Sequence, residues 1–216
     1  MLCRKTFESR EAWLNGRGKS IGGSEASAVL GISPFSDNLR LWKLKTGREK
    51  DKDLSADENI QRGVRVEHGM RELFKARHPE YEMDYHAFDI LYQDDRPWLT
   101  ATLDGELKEI ETGRMGIWEC KSVRTQNKMS WKEWHNGHIP QYYMSQLIHQ
   151  LLATGFDFAV ISACQERLDG GCTISEYLVE RKDHEEDMKY LLEQEEKFWN
   201  EYVLADKQPA LLLPNL

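Results

Sequence analysis

The sequence predicts a mixed α/β fold of the α+β kind, on three observations. Segments of helical periodicity open the chain, and strand-like segments fill its middle. One strongly apolar helix lies between two of those strands, and an amphipathic helix follows them, the order of a layered fold. Third, 40% of the 216 residues are hydrophobic, with 7 Trp and 8 Tyr, which supplies large apolar anchors for a substantial core in one domain.

In chain order, Ser24–Leu30 and Ser36–Thr46 read as short helices, each opened by a capping serine and closed by Gly31 and Gly47. Gly47 to Asp57 is charged and poor in apolar residues, and reads as a loop. From about Asn59 to His78 runs a helix stopped by Pro79, with Val66, Met70, Leu73 and Phe74 as its apolar stripe. Glu67 precedes Met70 by three residues and Phe74 by seven, which sets a carboxylate beside that stripe or on its solvated flank. Trp98–Leu107 and Met115–Val123 read as strands joined by a turn around Glu111-Thr112-Gly113. Pro140–Gly155 is the apolar helix, Phe158–Cys164 and Thr173–Val179 are further strands, and a last helix spans about Asp183 to Leu204. Met188, Leu191, Leu192, Phe198, Trp199 and Tyr202 share one side of it. The organisation is a single domain over 1–216: a helical N-terminal segment to about 57, a core over about 58–180, and a C-terminal helix over about 183–204.

Charge limits the function classes. The formal net charge of -8 sits badly with a nucleic-acid partner, because Lys and Arg neutralising phosphates supply most of such affinity. The distribution softens this: residues 1–50 hold ten Lys and Arg against five Asp and Glu, and 51–118 hold nine against sixteen. Any DNA-facing surface should therefore use the N-terminal segment, the other reading being an ordinary acidic enzyme with a chance basic start. The start Met1-Leu2-Cys3-Arg4-Lys5-Thr6 is followed by no apolar h-region, and no stretch approaches a membrane-spanning length, so a cytosolic location is expected. Cys3, Cys120, Cys164 and Cys172 show neither CxxC spacing nor a framework, and are expected as reduced, mostly buried thiols. Nor do Cys164 and Cys172 have the clustered partners of an iron–sulfur site.

The middle strands carry the chemistry. Period-two alternation puts Thr100, Thr102 and Asp104 on one face and Leu99, Ala101 and Leu103 on the other. The same rule projects Glu119 and Lys121 together, with Trp118 and Cys120 opposite. Hydrolysing a phosphodiester requires neutralised phosphate charge and an activated water, and hard divalent cations held by carboxylates provide both. Asp104, Glu119 and Glu67 are candidate ligands, and Lys121 can position water or stabilise transition-state charge. Taken alone, Glu119-x-Lys121 is equally a salt bridge on an exposed strand. His135-Asn136-Gly137-His138 has the look of a ligand pair, but Asn-Gly favours a turn. Tyr142, Tyr143, Leu147, Leu151 and Leu152 read as core packing rather than a base-stacking platform.

Asp104 followed fifteen residues later by Glu119-Cys120-Lys121 resembles the PD-(D/E)xK nucleases, with Leu103 in place of the proline. A narrower resemblance, to the lambda-exonuclease and YqaJ-type viral recombinase family, runs from about residue 9 to 165. It rests on Trp13-Leu14-Asn15-Gly16-Arg17, Ile21-Gly22-Gly23-Ser24-Glu25-Ala26, Leu30-Gly31, Leu41-Trp42, Lys45-Thr46-Gly47, the helix with Gly63 and Glu67, and Ile139-Pro140-Gln141-Tyr142-Tyr143-Met144-Ser145-Gln146. Each motif is weak and their common order is specific.

That resemblance implies a restriction-endonuclease-like core with a central mixed sheet flanked by helices. It also implies Mg²⁺-dependent (Mn²⁺ as the other option) 5′ to 3′ exonuclease activity on double-stranded DNA. Asp104, Glu119 and the Cys120 carbonyl are the implied metal ligands, with Glu67 contributing indirectly and Lys121 orienting water. Arg17, Ser24 and Gln146 match positions that grip the terminal 5′-phosphate, and Thr102 stands where the family has a serine. A planar Arg fork and a helix-opening Ser suit phosphate oxygens, although the residues alone read as a surface Arg, an N-cap and a polar helix edge. The implied partners are DNA ends, two further copies in a homotrimeric ring, and a single-strand annealing protein, in the bacterial cytoplasm of a phage or prophage host. The alternatives are a related PD-(D/E)xK endonuclease or repair nuclease, and a DNA-end-binding module with an inactive site.

Overall fold

In the computed structural model, which describes residues 1–51, 57–124, 134, 137–167 and 170–213, the chain begins with β1 (Leu2–Thr6), α1 (Arg10–Arg17) and β2 (Ile21–Gly22). A 3-10 turn, Gly23–Glu25, leads into α2 (Ala26–Val29), α3 (Asn38–Lys45) and α4 (Glu58–Arg77). Then come β3 (Tyr81–Asp84), β4 (Asp89–Gln93), β5 (Leu99–Ala101), β6 (Gly105–Glu109) and β7 (Met115–Arg124). The helix α5 (Gln141–Thr154), strands β8 (Phe158–Glu166) and β9 (Cys172–Glu180), and α6 (Glu185–Lys197) follow, the last continuing as a π-helix over Phe198–Leu204. The fold class is the mixed α/β one that the element order predicts.

The larger sheet has the order β3-β6-β7-β8-β9 and is antiparallel except where β7 runs parallel to β8. A parallel pair needs a crossover, and α5 provides it. Alternation along β7 then divides the core. Ile117 faces α5, where it joins Leu147, Leu151, Ala159, Ile161 and, from α6, Met188 and Leu191. Trp118 faces the other way onto Met70 and Phe74 of α4. A smaller sheet, β1-β4-β5-β2, stands beside this one. The sequence reading left β1, β2, β3 and β4 unassigned; β1 is mostly exposed, β2 is two residues long and β3 and β4 are only four and five. A third cluster, Ile21, Ala28, Val29, Leu41, Trp42 and Phe198, ties the N-terminal helices to the last one.

Local expectations need correcting. Ser24 does not cap a helix: it lies inside the 3-10 turn, whose entry is held by the Glu25 carboxylate accepting from the Gly22 N–H at 2.9 Å. Ser36 is not the cap of α3 either; Asp37 accepts from the Arg40 N–H at 2.7 Å. Leu73 is 40% exposed and leaves the α4 stripe, where Arg71 is buried instead. Trp98–Leu107 is two strands in different sheets, broken at Thr102–Asp104, and Thr100 is buried against Ser20 rather than open to solvent. Of the four free cysteines only Cys164 is buried. His135 and Asn136, and part of the Gly47 to Asp57 loop, lie outside the described residues.

One buried ion pair pins three elements. His149 of α5 and Glu195 of α6 are both 0% exposed, with Nδ1 and Oε1 2.7 Å apart. The Thr100 carbonyl can only accept, so His149 Nε2 carries a proton and donates to it at 2.9 Å. Burial alone would lower the imidazole pKa, but Glu195 outweighs it and the pKa is raised. A His with a raised folded-state pKa contributes stability that is complete below about 6.5, its unfolded value, and that fades as pH rises through the folded value. Glu195→Ala is therefore expected to cost about 3–5 kcal/mol in urea denaturation near pH 6, with the deficit narrowing as pH rises. A deficit constant across pH would show that the imidazole is neutral in the folded protein.

Candidate functional site

The break between β5 and β6 sets Asp104 beside β7, where its Oδ2 accepts from the Cys120 N–H at 2.9 Å. On the α5-facing side of β7, Glu119 is 3% exposed and fully engaged. Its Oε1 accepts from Lys121 Nζ and from Gln146 Nε2, each at 2.6 Å, and its Oε2 from Gln150 Nε2 at 2.7 Å. Gln150 Nε2 also reaches the Thr102 carbonyl at 3.4 Å, so α5 bridges β7, which carries Glu119, and the strand break that carries Asp104. Glu67 enters from α4, paired with Arg71 one turn on. Arg71 Nε donates to the Asp104 carbonyl at 3.0 Å, and its guanidinium stacks on Tyr85 at 3.7 Å.

Electrostatics mark Glu67, Asp104, Glu119 and Lys121 as one cluster. Burial, then the charges of Glu119 and Glu67, hold the Asp104 carboxyl well above the usual carboxylate range. Burial pushes Glu67 up as well, against the pull of Arg71. For Lys121 burial works to lower the pKa, but Glu119 and Asp104 outweigh it and the amine is held above its ordinary value, firmly charged. Burial and the same carboxylates raise the Cys120 thiol, leaving it protonated and unreactive. Three carboxylates with one lysine and one arginine in low dielectric form a surplus of negative charge.

That surplus, with hard oxygen donors from Asp104, Glu119, Glu67 and the Cys120 carbonyl, suits a divalent cation of the Mg²⁺ type. Among the described residues no three carboxylate, imidazole or thiol groups already enclose a metal position. The donor set fits such an ion in kind and charge, with Glu119 sharing oxygens now taken by Lys121, Gln146 and Gln150.

The phosphate-binding candidates lie on the neighbouring N-terminal segment. Arg17 Nη2 is 3.5 Å from Ser24 Oγ, and the guanidinium lies over Trp13, 4.8 Å from the ring centre. Lys45, buried to 3% exposure, pairs with Glu25 at 2.7 Å and steadies the turn between them. This turn sits directly on α5: a Cβ at Gly23 would lie 3.1 Å from Gln150 Cγ and 3.2 Å from Gln146 Cγ. Gln146 thus stands between the two groups but gives its amide to Glu119 rather than to Arg17 or Ser24. Thr102 is half-buried at the strand break.

Much of the N-terminal positive charge is already matched, Arg4 by Asp89 and Glu106, Arg40 by Glu49, and Arg48 by Asp206. Arg17 has no carboxylate partner among the described residues. Sequence reasoning missed Gln150 and Arg71. Both were legible as i, i+4 partners, Gln150 of Gln146 and Arg71 of Glu67, since that spacing puts side chains on one helix face.

Residues 12–157 match the YqaJ-like viral recombinase domain, a span that takes in every site residue named above from Arg17 to Gln150. The chain is 31% identical over 211 residues to the uncharacterized protein YqaJ of Bacillus subtilis (strain 168), covering 98% of this chain and 62% of that one. It thus spans less than two thirds of that relative's length. The fold is similar to that of an alkaline exonuclease, LHK-Exo, from Laribacter hongkongensis, with a TM-score of 0.68 and 17% identity over 91% of this chain and 93% of the other. LHK-Exo in complex with dAMP gives a TM-score of 0.60, again at 17% identity, over 91% and 97%. Identities that low speak to the fold alone, whereas the match across residues 12–157 establishes that the chain belongs to the YqaJ-like viral recombinase domain family.

Proposed function

We propose that the chain is a metal-dependent deoxyribonuclease that degrades one strand of duplex DNA from its 5′ end, leaving the complementary strand single for annealing-based recombination. The observation that carries this reading is the convergence of Asp104, Lys121 and Glu67, all part-buried, on the buried Glu119 from a strand break, a neighbouring strand and a helix. Asp104, Glu119 and the Cys120 carbonyl, with Glu67 indirectly, would hold a divalent cation, Mg²⁺ or Mn²⁺, which would supply neutralisation of the phosphate and a more acidic water. Lys121, charged at neutral pH, orients that water or stabilises charge on the transferring phosphoryl group. Water oxygen bonds to phosphorus, the bond to the 3′ oxygen of the terminal nucleotide breaks, and the leaving oxygen takes up a proton. The shortened strand then carries a new 5′-phosphate.

Arg17 and Ser24 grip that phosphate, with Thr102 and Gln146 completing the contact. Each turnover so regenerates the group that the next one binds. The same reading takes a homotrimeric ring around DNA, an annealing-protein partner, and the cytoplasm of a phage-bearing bacterium as its setting. No helix among the described residues is long and apolar enough to cross a membrane.

Incubation with linear duplexes and a covalently closed circle, in Mg²⁺ and then in chelator, tests the whole. Only linear DNA in Mg²⁺ is expected to be degraded; equal cutting of the circle would make the protein an endonuclease. Lys121→Ala is expected to keep DNA-end binding while losing most cleavage, because the amine acts on water or transition state rather than holding the duplex. Equal loss of both would mark a structural lysine.

Arg17 tests the end specificity. Charge-assisted contacts worth about 1.5–3 kcal/mol favour phosphorylated over hydroxyl 5′ ends by about tenfold to a hundredfold. Arg17→Ala is expected to abolish that preference while changing cleavage of the hydroxyl-ended duplex far less. Arg10→Ala, which removes a charge from the same segment, is expected to weaken both substrates alike. If Arg17→Ala slows both ends equally, Arg17 is a generic DNA contact.

A further inference from the structure

Phe35 is a large apolar side chain left 69% exposed, yet its backbone is fixed. It follows Pro34, and the N–H groups of Phe35 and Ser36 both donate to Ser33 Oγ, at 3.2 and 3.3 Å, closing a tight turn between α2 and α3. Its ring meets Tyr142 edge to face, centroids 5.8 Å apart at 86°. Tyr142 lies 4.4 Å from Tyr143 by the same measure, and the Lys121 amine sits over the Tyr143 ring, 5.0 Å from its centre. A row of aromatic rings therefore leads from Lys121 out to solvent. The inner end of the row is anchored, since Tyr143 packs against the core cluster of Leu147, Leu151 and Leu152 and lies 5.3 Å from the buried Trp134 ring, while Tyr142 is half-buried and Phe35 is exposed.

We propose that Phe35, backed by Tyr142 and Tyr143, is a stacking surface for an unpaired base of the DNA strand engaged at Lys121. The proposal rests on the nuclease reading. Rigid aromatic side chains stack on any base, since every base has a π-face, and the contact needs the base out of its pair rather than of a given identity. It also supplies affinity without spending cations, which suits a chain of net charge -8 whose Arg4, Arg40 and Arg48 are matched by carboxylates. A strand end that frays at this surface presents its backbone, unpaired, to the cluster at Lys121.

The test uses the full chain in chelator, so that binding is read without cleavage. Duplexes with an unpaired 5′ end carry the fluorescent base 2-aminopurine at successive positions, and a matched duplex carries abasic sites there. Wild-type protein is expected to quench the fluorescence at one of these positions. Phe35→Ala is expected to lose the quench and to weaken binding of the base-bearing end by about fivefold to 150-fold, with the abasic end unaffected. Phe35→Trp restores both signals, and Phe35→Leu, apolar but without a π-face, restores neither. Full quenching by Phe35→Ala, or equal weakening on abasic ends, overturns the proposal. So does a Phe35→Ala protein that binds DNA as wild type but sediments differently, which would place Phe35 in a contact between protein chains. Wild-type protein that binds no duplex end overturns the nuclease reading itself, and this proposal with it.

Discussion

A carboxyl group in a protein interior must be surrounded by hydrogen-bonding partners, and Glu119 sets the arrangement of everything near it. Lys121, Gln146 and Gln150 are the donors, and two of these three come from one face of α5. The helix can meet the strand in this way because it is the crossover that makes β7 and β8 parallel. Its first buried turns therefore lie over the middle of β7, where Glu119 and Lys121 project. Gly23 eases the fit, since a Cβ there would press closely on Gln146 and Gln150 where the N-terminal turn rests on them. The Arg17 and Ser24 pair is in consequence held at a fixed distance from the acids by the same helix.

The cost of this arrangement is concentrated charge. Asp104 and Glu67 share the pocket with Glu119; burial and then the charges of Glu119 and Glu67 hold Asp104 up, and burial with the charge of Glu119 raises Glu67. Arrays of this kind weaken a fold unless something binds to them, which is why they are a mark of function more than of stability. Elsewhere the chain offsets charges pairwise: Arg4 is matched by Asp89 and Glu106 and Arg48 by Asp206, from distant parts of the sequence, and Arg40 by Glu49 nearby. Part of the local surplus of cations seen in the sequence is thus offset internally, and Arg17, like Lys5 over Phe7, lies over an aromatic ring instead.

The long, strongly periodic elements were legible: α4 to within a residue at each end, α5, β7 to β9 and the last helix all follow their patterns. Alternation along β7 placed Glu119 with Lys121 and Trp118 with Cys120 correctly, because a strand buried on both faces keeps strict period two. The failures have particular causes. Trp98–Leu107 looks like one strand because its break, Thr102–Leu103–Asp104, carries no Gly or Pro, and it is tertiary demand from two sheets that divides it. The caps at Ser24 and Ser36 lost to Glu25 and Asp37, carboxylates one residue further along. The β1 strand, exposed along most of its length, offers no alternation to read. At the site, the acids and the lysine were readable from spacing, while the glutamine clamp is a helix-to-strand contact that periodicity can suggest only once the helix is known to cover that strand.

The central claim is that the Glu119 cluster is built to take a divalent cation. Isothermal titration of Mn²⁺ into DNA-free protein tests it most directly, with wild type beside Asp104→Asn and Glu119→Gln, each checked for folding by circular dichroism. The account predicts saturable binding by wild type that is lost or greatly weakened in both variants, since each removes one ligand charge. Binding unchanged in both folded variants would contradict it, and would leave the buried acids as a purely structural ion network.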